Sequence, residues 1–364
     1  MKTCGIICEL NPAHNGHKYI FDMARQLTDA DFIIAIMSGD YVQRGEPAII
    51  DKHIRTKMAL MLGANIVIEL PGIFATGSAQ YFARGAVSIL DKLGTDYLVF
   101  GSESGDITTL KEIESTTPND ILGSEYIKAI EYFNSSMKPV PVKRIGTDYN
   151  DSQNINANIA SATYIREHIN ENLSDIIPGH IYSALVSHKE NNGLIEINDF
   201  SALLFYKLLS EKDTGLEKYF DVYSDFSDKI LKNLNKFTDY TDFCYQLKTK
   251  EIAFSHIKRG LLHILLNITN NDLEYVKSHD FIAYLRVLGF ASDNPQIFSL
   301  LDEKKKNAIP LITRLSDGNK LLDNQAYSIF TKDIAASNLY NYVANSKSDN
   351  PHIINELSRP IIKQ

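Results

Sequence analysis

The run Thr3–Leu10 (TCGIICEL) leads directly into Asn11-Pro12-Ala13-His14-Asn15-Gly16-His17, then into the amphipathic stretch Lys18–Leu27. No other feature limits the chain's fold as strongly. An unbroken apolar run of this length predicts a strand buried on both faces, as in a parallel sheet. Pro and Gly in the next residues predict a tight turn, and the apolar spacing after them predicts a helix. Strand, turn and helix in this order are the first unit expected of a doubly wound α/β sheet. His14 and His17 are three residues apart, so a helix beginning near Asn15 brings them together at its first turn. That turn carries unpaired N–H groups and the positive end of the helix dipole, a setting that favours phosphate. Two imidazoles beside it can stabilise charge developing on a phosphate. The competing readings are a structural histidine at either position, or zinc held by the pair. Nothing nearby supplies further ligands, so no metal site is expected.

The alternation continues. Asp31–Met37, Asn65–Leu70, Asp96–Phe100 and Pro141–Ile145 are expected strands; Ala48–Leu62, Ser78–Leu93 and Ser124–Phe133 are expected helices. Such alternation predicts a parallel sheet, whose ligands bind beyond the carboxyl ends of the strands. The second strand ends in Ser38-Gly39-Asp40 and the polar loop Tyr41–Pro47. Asp40 is there a candidate to orient a substrate or a metal. Arg44 can contact a phosphate or pair with Glu46. Gly101 closes the fourth strand where a side chain would block a ligand, although an ordinary strand-end turn also suits it. Pro118–Gly123 leads into the helix at Ser124, and Asn119 or Asp120 is placed to be its N-terminal turn residue. After the Asn-rich stretch Asp148–Asn158, Ser161 or Thr163 is placed to cap a helix carrying Arg166, whose planar fork suits a phosphate clamp.

Pro178 marks the expected domain boundary, with a nucleotide-binding domain over 1–178 and a mainly α-helical one over 179–364. In the second part Asp199–Leu209, Ile230–Phe237, Phe254–Leu266 and Asp280–Leu288 are expected helices. The chain is acidic, with 37 Lys and Arg against 45 Asp and Glu, which excludes a generally basic nucleic-acid coat but not a local patch. Lys229–Arg259 is such a patch, with seven basic residues against three acidic ones. Its Phe237, Tyr240, Phe243 and Tyr245 offer stacking surfaces for RNA, or belong to the core. Three cysteines, Cys4, Cys8 and Cys244, are too few for a disulfide framework and point to a reducing compartment. With no signal peptide or membrane-spanning run, a cytoplasmic location is expected, with no membrane contact and no obligate protein partner.

The string NPAHNGH after a first strand resembles the HIGH-type motif of the superfamily of nucleotidyltransferases and class I aminoacyl-tRNA synthetases. SGDYVQRGEPA, ANIVIELP, VFGSE, PNDILG, VKR and SATYIR follow in the order found in bacterial tRNA(Met) cytidine acetate ligases. The similarity is close over residues 1–170 and continues weakly through 248–267. It implies a Rossmann-like nucleotidyltransferase fold followed by a helical domain. It also implies an enzyme that makes acetyl-adenylate from ATP and acetate, then transfers the acetyl group to the wobble cytidine of elongator tRNA(Met). Carried onto this chain, the ATP contacts are Ile7, Cys8, Asn11, Pro12, His14, Gly16, His17, Ile20, Gly101, Asn119, Arg144 and Arg166. His14, His17 and Asp40 are the candidate catalytic residues. Lys248, Lys250, Lys258 and Arg259 are the candidate RNA contacts. Mg²⁺ is expected with ATP, without a dedicated carboxylate cage. Leu10 and Ala13 stand where relatives commonly carry aromatics, and an insertion found in relatives between the equivalents of Lys111 and Pro118 is missing. The alternatives are a nucleotidyltransferase acting on a small phosphorylated metabolite, favoured less by so large a helical half, and a non-enzymatic nucleotide or RNA binder.

Overall fold

The computed structural model describes residues 1–112, 117–145, 158–304, 309–348 and 354–364. Most of the Asn-rich stretch 148–158, and residues 113–116, within the span expected to lack an insertion, lie outside this set.

β1 (Thr3–Cys8) occupies the middle of the sheet because both its faces are covered. Cys4, Ile6 and Cys8 pack with α1 (Asn15–Thr28) and α2 (Lys52–Met61). Gly5 presents its face to Leu90 of α3 (Ala79–Lys92). β2 (Phe32–Ser38) alternates in the same way, with Ile33, Ala35 and Met37 in one apolar cluster and Ile34 and Ile36 in the other. Two covered faces are the physical reason these strands read as continuous apolar runs. β2 lies on one side of β1 and β4 (Tyr97–Ser102) on the other, with β3 (Ile66–Leu70) beyond β2 and β5 (Lys138–Lys143) beyond β4. All four pairings are parallel. The order 3-2-1-4-5 reverses direction at β1 and β4, and the crevice beyond their carboxyl ends is the expected ligand site. α4 (Pro118–Tyr132) packs beside α3.

The second half is largely helical but does not stay apart from the sheet. Asp280–Leu288, expected as helix, forms instead the strand β6 (Leu285–Phe290), antiparallel to β3. Two short strands, β7 (Leu311–Ile312) and β8 (Ile362–Lys363), extend it in parallel. A short buried apolar run has no periodicity to separate strand from helix. Only the free edge of β3, far earlier in the chain, decides it. One apolar cluster runs from Ile34, Leu98 and Phe74 into Leu204, Phe226, Phe243 and Tyr284, so position 178 is no gap in the core.

Beneath this junction lies an ionic network. Lys52 Nζ is 2.6 Å from Glu69 Oε1, 3.0 Å from Glu356 Oε1 and 2.6 Å from Ser337 Oγ. Arg286 bridges the same two carboxylates at 2.8 and 2.5 Å, and His53 Nε2 lies 3.2 Å from Glu356. Burial disfavours ionising Glu69, yet Arg286 and Lys52 overcome it and hold its carboxyl below the usual range. Glu356 is likewise held low: Lys52, a bond from His53 and Arg286 prevail over burial. Lys52 and Glu69 come from the first half and Arg286 and Glu356 from the second, and each cation pairs with a carboxylate of both halves. Removing one cation leaves two buried carboxylates to share the other. Arg286→Met is therefore expected to cost about 3–5 kcal/mol of stability, read by urea denaturation at neutral pH. Because both carboxyls titrate low in the fold, wild-type stability should be present above their unfolded pKa and be lost progressively as the pH falls below it.

Candidate active site

α1 begins where the turn after β1 ends. His14 is its N-cap, extended at φ −150° and ψ 176°, and His14 Nδ1 accepts the N–H of Gly16 at 3.0 Å. That bond leaves the proton of the neutral ring on Nε2, as a donor. The rings of His14 and His17 lie 3.9 Å apart between centroids, tilted by 43°. His17 Nδ1 is buried and has no hydrogen-bond partner among the described residues. The first-turn N–H groups, expected to be free, are engaged: Asn15 donates to Ile176 O, Gly16 to His14 Nδ1 and His17 to His14 O. What the helix start presents is therefore its dipole and two imidazoles rather than a row of open amides.

Burial, with His17, Arg144 and Arg166 nearby, pushes His14 well below its ordinary value. Burial and Arg144 push His17 down to about 3. Both rings are thus neutral at pH 7, in a field made positive by two guanidinium groups. Arg166 is carried by α5 (Ala162–Glu167), which Ser161 caps by accepting the N–H of Tyr164 at 3.1 Å. Arg166 Nη1 donates to Asn11 O at 2.8 Å, and Nη2 to Thr163 Oγ1 at 3.2 Å. Asn11 Oδ1 accepts from Ile49 N, and the Asn11–Pro12 bond is cis. A Cβ on Gly101 would sit 3.4 Å from Ile20 and 3.6 Å from the Arg144 side chain, so these three expected residues do meet. A Cβ on Gly16 would press on the His14 ring.

Other expected residues are placed differently. Asn119 Nδ2 donates to Glu103 at 2.5 Å, while Asp120 accepts from Ser102, Glu103 and Ser104. The pair fastens the loop after β4. Asp40 is buried, accepts the N–H of Lys52 at 2.9 Å and lies 3.7 Å from its ammonium. Its carboxylate belongs to the edge of the ionic network. Ile7 and Cys8 face opposite sides of β1, and burial pushes the Cys8 thiol up to about 12, the state of a core thiol.

Two of the four basic residues expected to meet RNA are engaged within the fold. Arg259 is buried against Asp221 at 3.1 Å, and Lys258 pairs with Glu46. Glu46 is thereby taken from its expected partner Arg44. Gly45, at φ +74°, brings the hairpin Tyr41–Pro47 so close to the helix Phe254–Leu266 that a Cβ would strike the Arg259 backbone. Tyr240 and Phe243 are core, and Phe237 packs against that core. Lys248, Lys250 and Tyr245 remain exposed, with the Tyr245 ring 4.9 Å from that of Phe254 and tilted to it by 33°.

Sequence reasoning missed Arg55. It is fully buried in α2 and donates to Ile50 O, Glu9 O, Ser38 O and Gly39 O. It thus ties together the carboxyl ends of β1 and β2, under the turn that carries the histidines. Its acceptors are backbone carbonyls, which leave no mark in a sequence.

A histidine pair at the start of the first helix of a doubly wound sheet, at its switch point, resembles the HIGH-type motif of nucleotidyltransferases. The model of the HIGH Nucleotidyl Transferase family matches residues 1–117 and 112–352. The tRNA(Met) cytidine acetate ligase of Caldicellulosiruptor saccharolyticus is 35% identical over 93% of this chain and 94% of its own. That of Oceanobacillus iheyensis is 32% identical over the whole of both chains. The chain belongs to the tRNA(Met) cytidine acetate ligase family. Thermotoga maritima TmcAL bound with alpha-thio ATP superposes with a TM-score of 0.89, at 28% identity and full coverage of both chains.

His14→Ala and His17→Ala are each expected to slow adenylate formation by roughly 10²-fold or more, the range for losing one charge-stabilising donor. Acetate-dependent ATP–pyrophosphate exchange on the folded variants measures it.

Proposed function

We propose that this chain is an ATP-dependent ligase that joins acetate to AMP as acetyl-adenylate and transfers the acetyl group to the wobble cytidine of elongator tRNA(Met), giving N4-acetylcytidine. The observation that carries the reading is the pair of buried imidazoles 3.9 Å apart at the start of α1, with Arg144 and Arg166 nearby. A carboxylate is a poor acyl donor, and adenylation supplies it with a good leaving group. An acetate oxygen attacks the α-phosphorus and pyrophosphate departs. The task of the protein is to hold both anions in line and to stabilise the charge that develops. The His14 Nε2–H donor, the helix dipole and the two guanidinium groups supply that stabilisation. Gly101 leaves room for the nucleotide against Ile20 and Arg144. No activated nucleophile is required.

Mg²⁺ is expected to arrive on the ATP phosphates. Among the described residues no group of three or more His, Cys, Asp or Glu is arranged to hold a metal ion, and no step here is routed through one. A cytoplasmic location suits a tRNA substrate, and no helix among the described residues is long and apolar enough to cross a membrane. Residues 1–178 would carry the chemistry and the helical remainder the tRNA. Incubation with ATP, labelled acetate and total tRNA, followed by nucleoside analysis, tests the reading. Labelled N4-acetylcytidine supports it. Pyrophosphate release that needs a phosphorylated metabolite instead of acetate would move the chain to the adenylyltransferases.

For the tRNA surface, Lys248→Ala with Lys250→Ala is expected to weaken tRNA binding. It should also lower the slope of log affinity against log salt by about 0.7–0.9 for each phosphate that the variant no longer neutralises. Filter binding across a salt series measures it, and pyrophosphate exchange should stay near wild type.

A further inference from the structure

Glu9 follows β1 directly, at the mouth of the switch-point crevice. It is fixed from two sides. Arg55 Nη1 holds its backbone carbonyl at 2.8 Å, and its Oε1 accepts the N–H of Gln43, in the hairpin Tyr41–Pro47, at 2.7 Å. Its Oε2 accepts no hydrogen bond among the described residues, and the residue as a whole is half-buried. The other carboxylates of this edge are already committed: Asp40 and Glu69 to Lys52, Glu46 to Lys258, and Asp120 to the loop after β4. Unlike Asp40, Glu69 and Glu46, Glu9 has no lysine at its carboxylate among the described residues, and its Oε2 accepts no hydrogen bond at the place where β1 hands over to the histidine turn.

Acetyl transfer needs such a group. The exocyclic amine of cytidine shares its lone pair with the ring and is a weak nucleophile, so it must lose a proton as it attacks. The histidines are unsuited to take that proton, because burial and nearby positive charge make them reluctant to gain one. We propose that Glu9 is the general base of the acyl-transfer step, an inference that rests on the function proposed above. The amine nitrogen bonds to the acetyl carbonyl carbon, and a proton passes from nitrogen to Glu9 Oε2. The bond from the acyl carbon to the AMP oxygen then breaks, and AMP leaves with the electron pair. The proton is afterwards released to solvent. AMP is a stable anion, so its departure needs no acid.

The surroundings of Glu9 suit this role. Burial raises its pKa toward the operating range of a base, while the Gln43 N–H and the charges of Arg55, Arg166 and Arg44 limit the rise. These arginines come from α2, α5 and the hairpin. The remaining titratable neighbours, Cys8 on β1 and Tyr126 on α4, are held neutral by burial.

The test is Glu9→Gln, which keeps the size of the side chain and an oxygen for the Gln43 N–H. Acetate-dependent ATP–pyrophosphate exchange, which transfers no amine proton, should remain near wild type and shows that the variant is folded. Single-turnover acetyl transfer to tRNA should fall by roughly 10²–10⁴-fold, the usual worth of a general base. In the wild type that rate should fall as the pH drops through the Glu9 titration, and this limb should be missing in the variant. A purely structural role would depress both half-reactions and leave the limb in place. Transfer at the wild-type rate, exchange abolished in parallel with transfer, or a persisting limb would each overturn the assignment. If the wild type itself exchanges pyrophosphate but labels no tRNA, the function proposed above fails instead, which keeps the two failures apart.

Discussion

The interior contact on which the rest depends is the clasp of Lys52 and Arg286 around Glu69 and Glu356. Ions taken out of water are tolerated only with close, oriented partners. Here each partner is supplied by the opposite half of the chain as well as its own. The arrangement sets where β6 lies against β3, because Arg286 on one strand must meet Glu69 on the other. It also sets where the chain's last strand can run, since Glu356 is drawn in shortly before β8 begins. Apolar packing alone tolerates sliding, whereas a buried charge with one matching position does not.

The active edge is built on that base. α2 begins at Lys52 in the clasp, and one helical turn later Arg55 gathers the carbonyls that end β1 and β2. Asp40 is held from the same residue, Lys52. The segments that carry the histidines, Glu9 and the hairpin are thus fastened from beneath by a few buried cations. The hairpin is fastened from above as well, through Gly45 and Glu46, to the helix Phe254–Leu266. The helical half thus presses directly on the hairpin beside the histidine turn.

Much of the histidine turn was legible in the sequence because its signals are local. An apolar run, a turn with Pro and Gly, and two histidines one helical turn apart concern a single short stretch, and the structure places them as expected. The meeting of Ile20, Gly101 and Arg144 was reachable only through likeness to a family, because no local rule joins residues so far apart in the chain. For Lys258 and Arg259 the charge was visible, but the acids that pair with them, Glu46 and Asp221, lie far away in sequence.

The sequence by itself determined the period of the first strands and helices, the parallel sheet with its crevice, and the histidine pair at a helix start. These follow from steric preference and hydrophobic patterning within about twenty residues. Tertiary structure alone decided that Leu285–Phe290 is a strand, that Arg55 is a clamp and that Glu9 Oε2 accepts no hydrogen bond among the described residues. Each of these outcomes depends on which edge, carbonyl or counter-charge a distant segment delivers, and that is a property of the assembled fold.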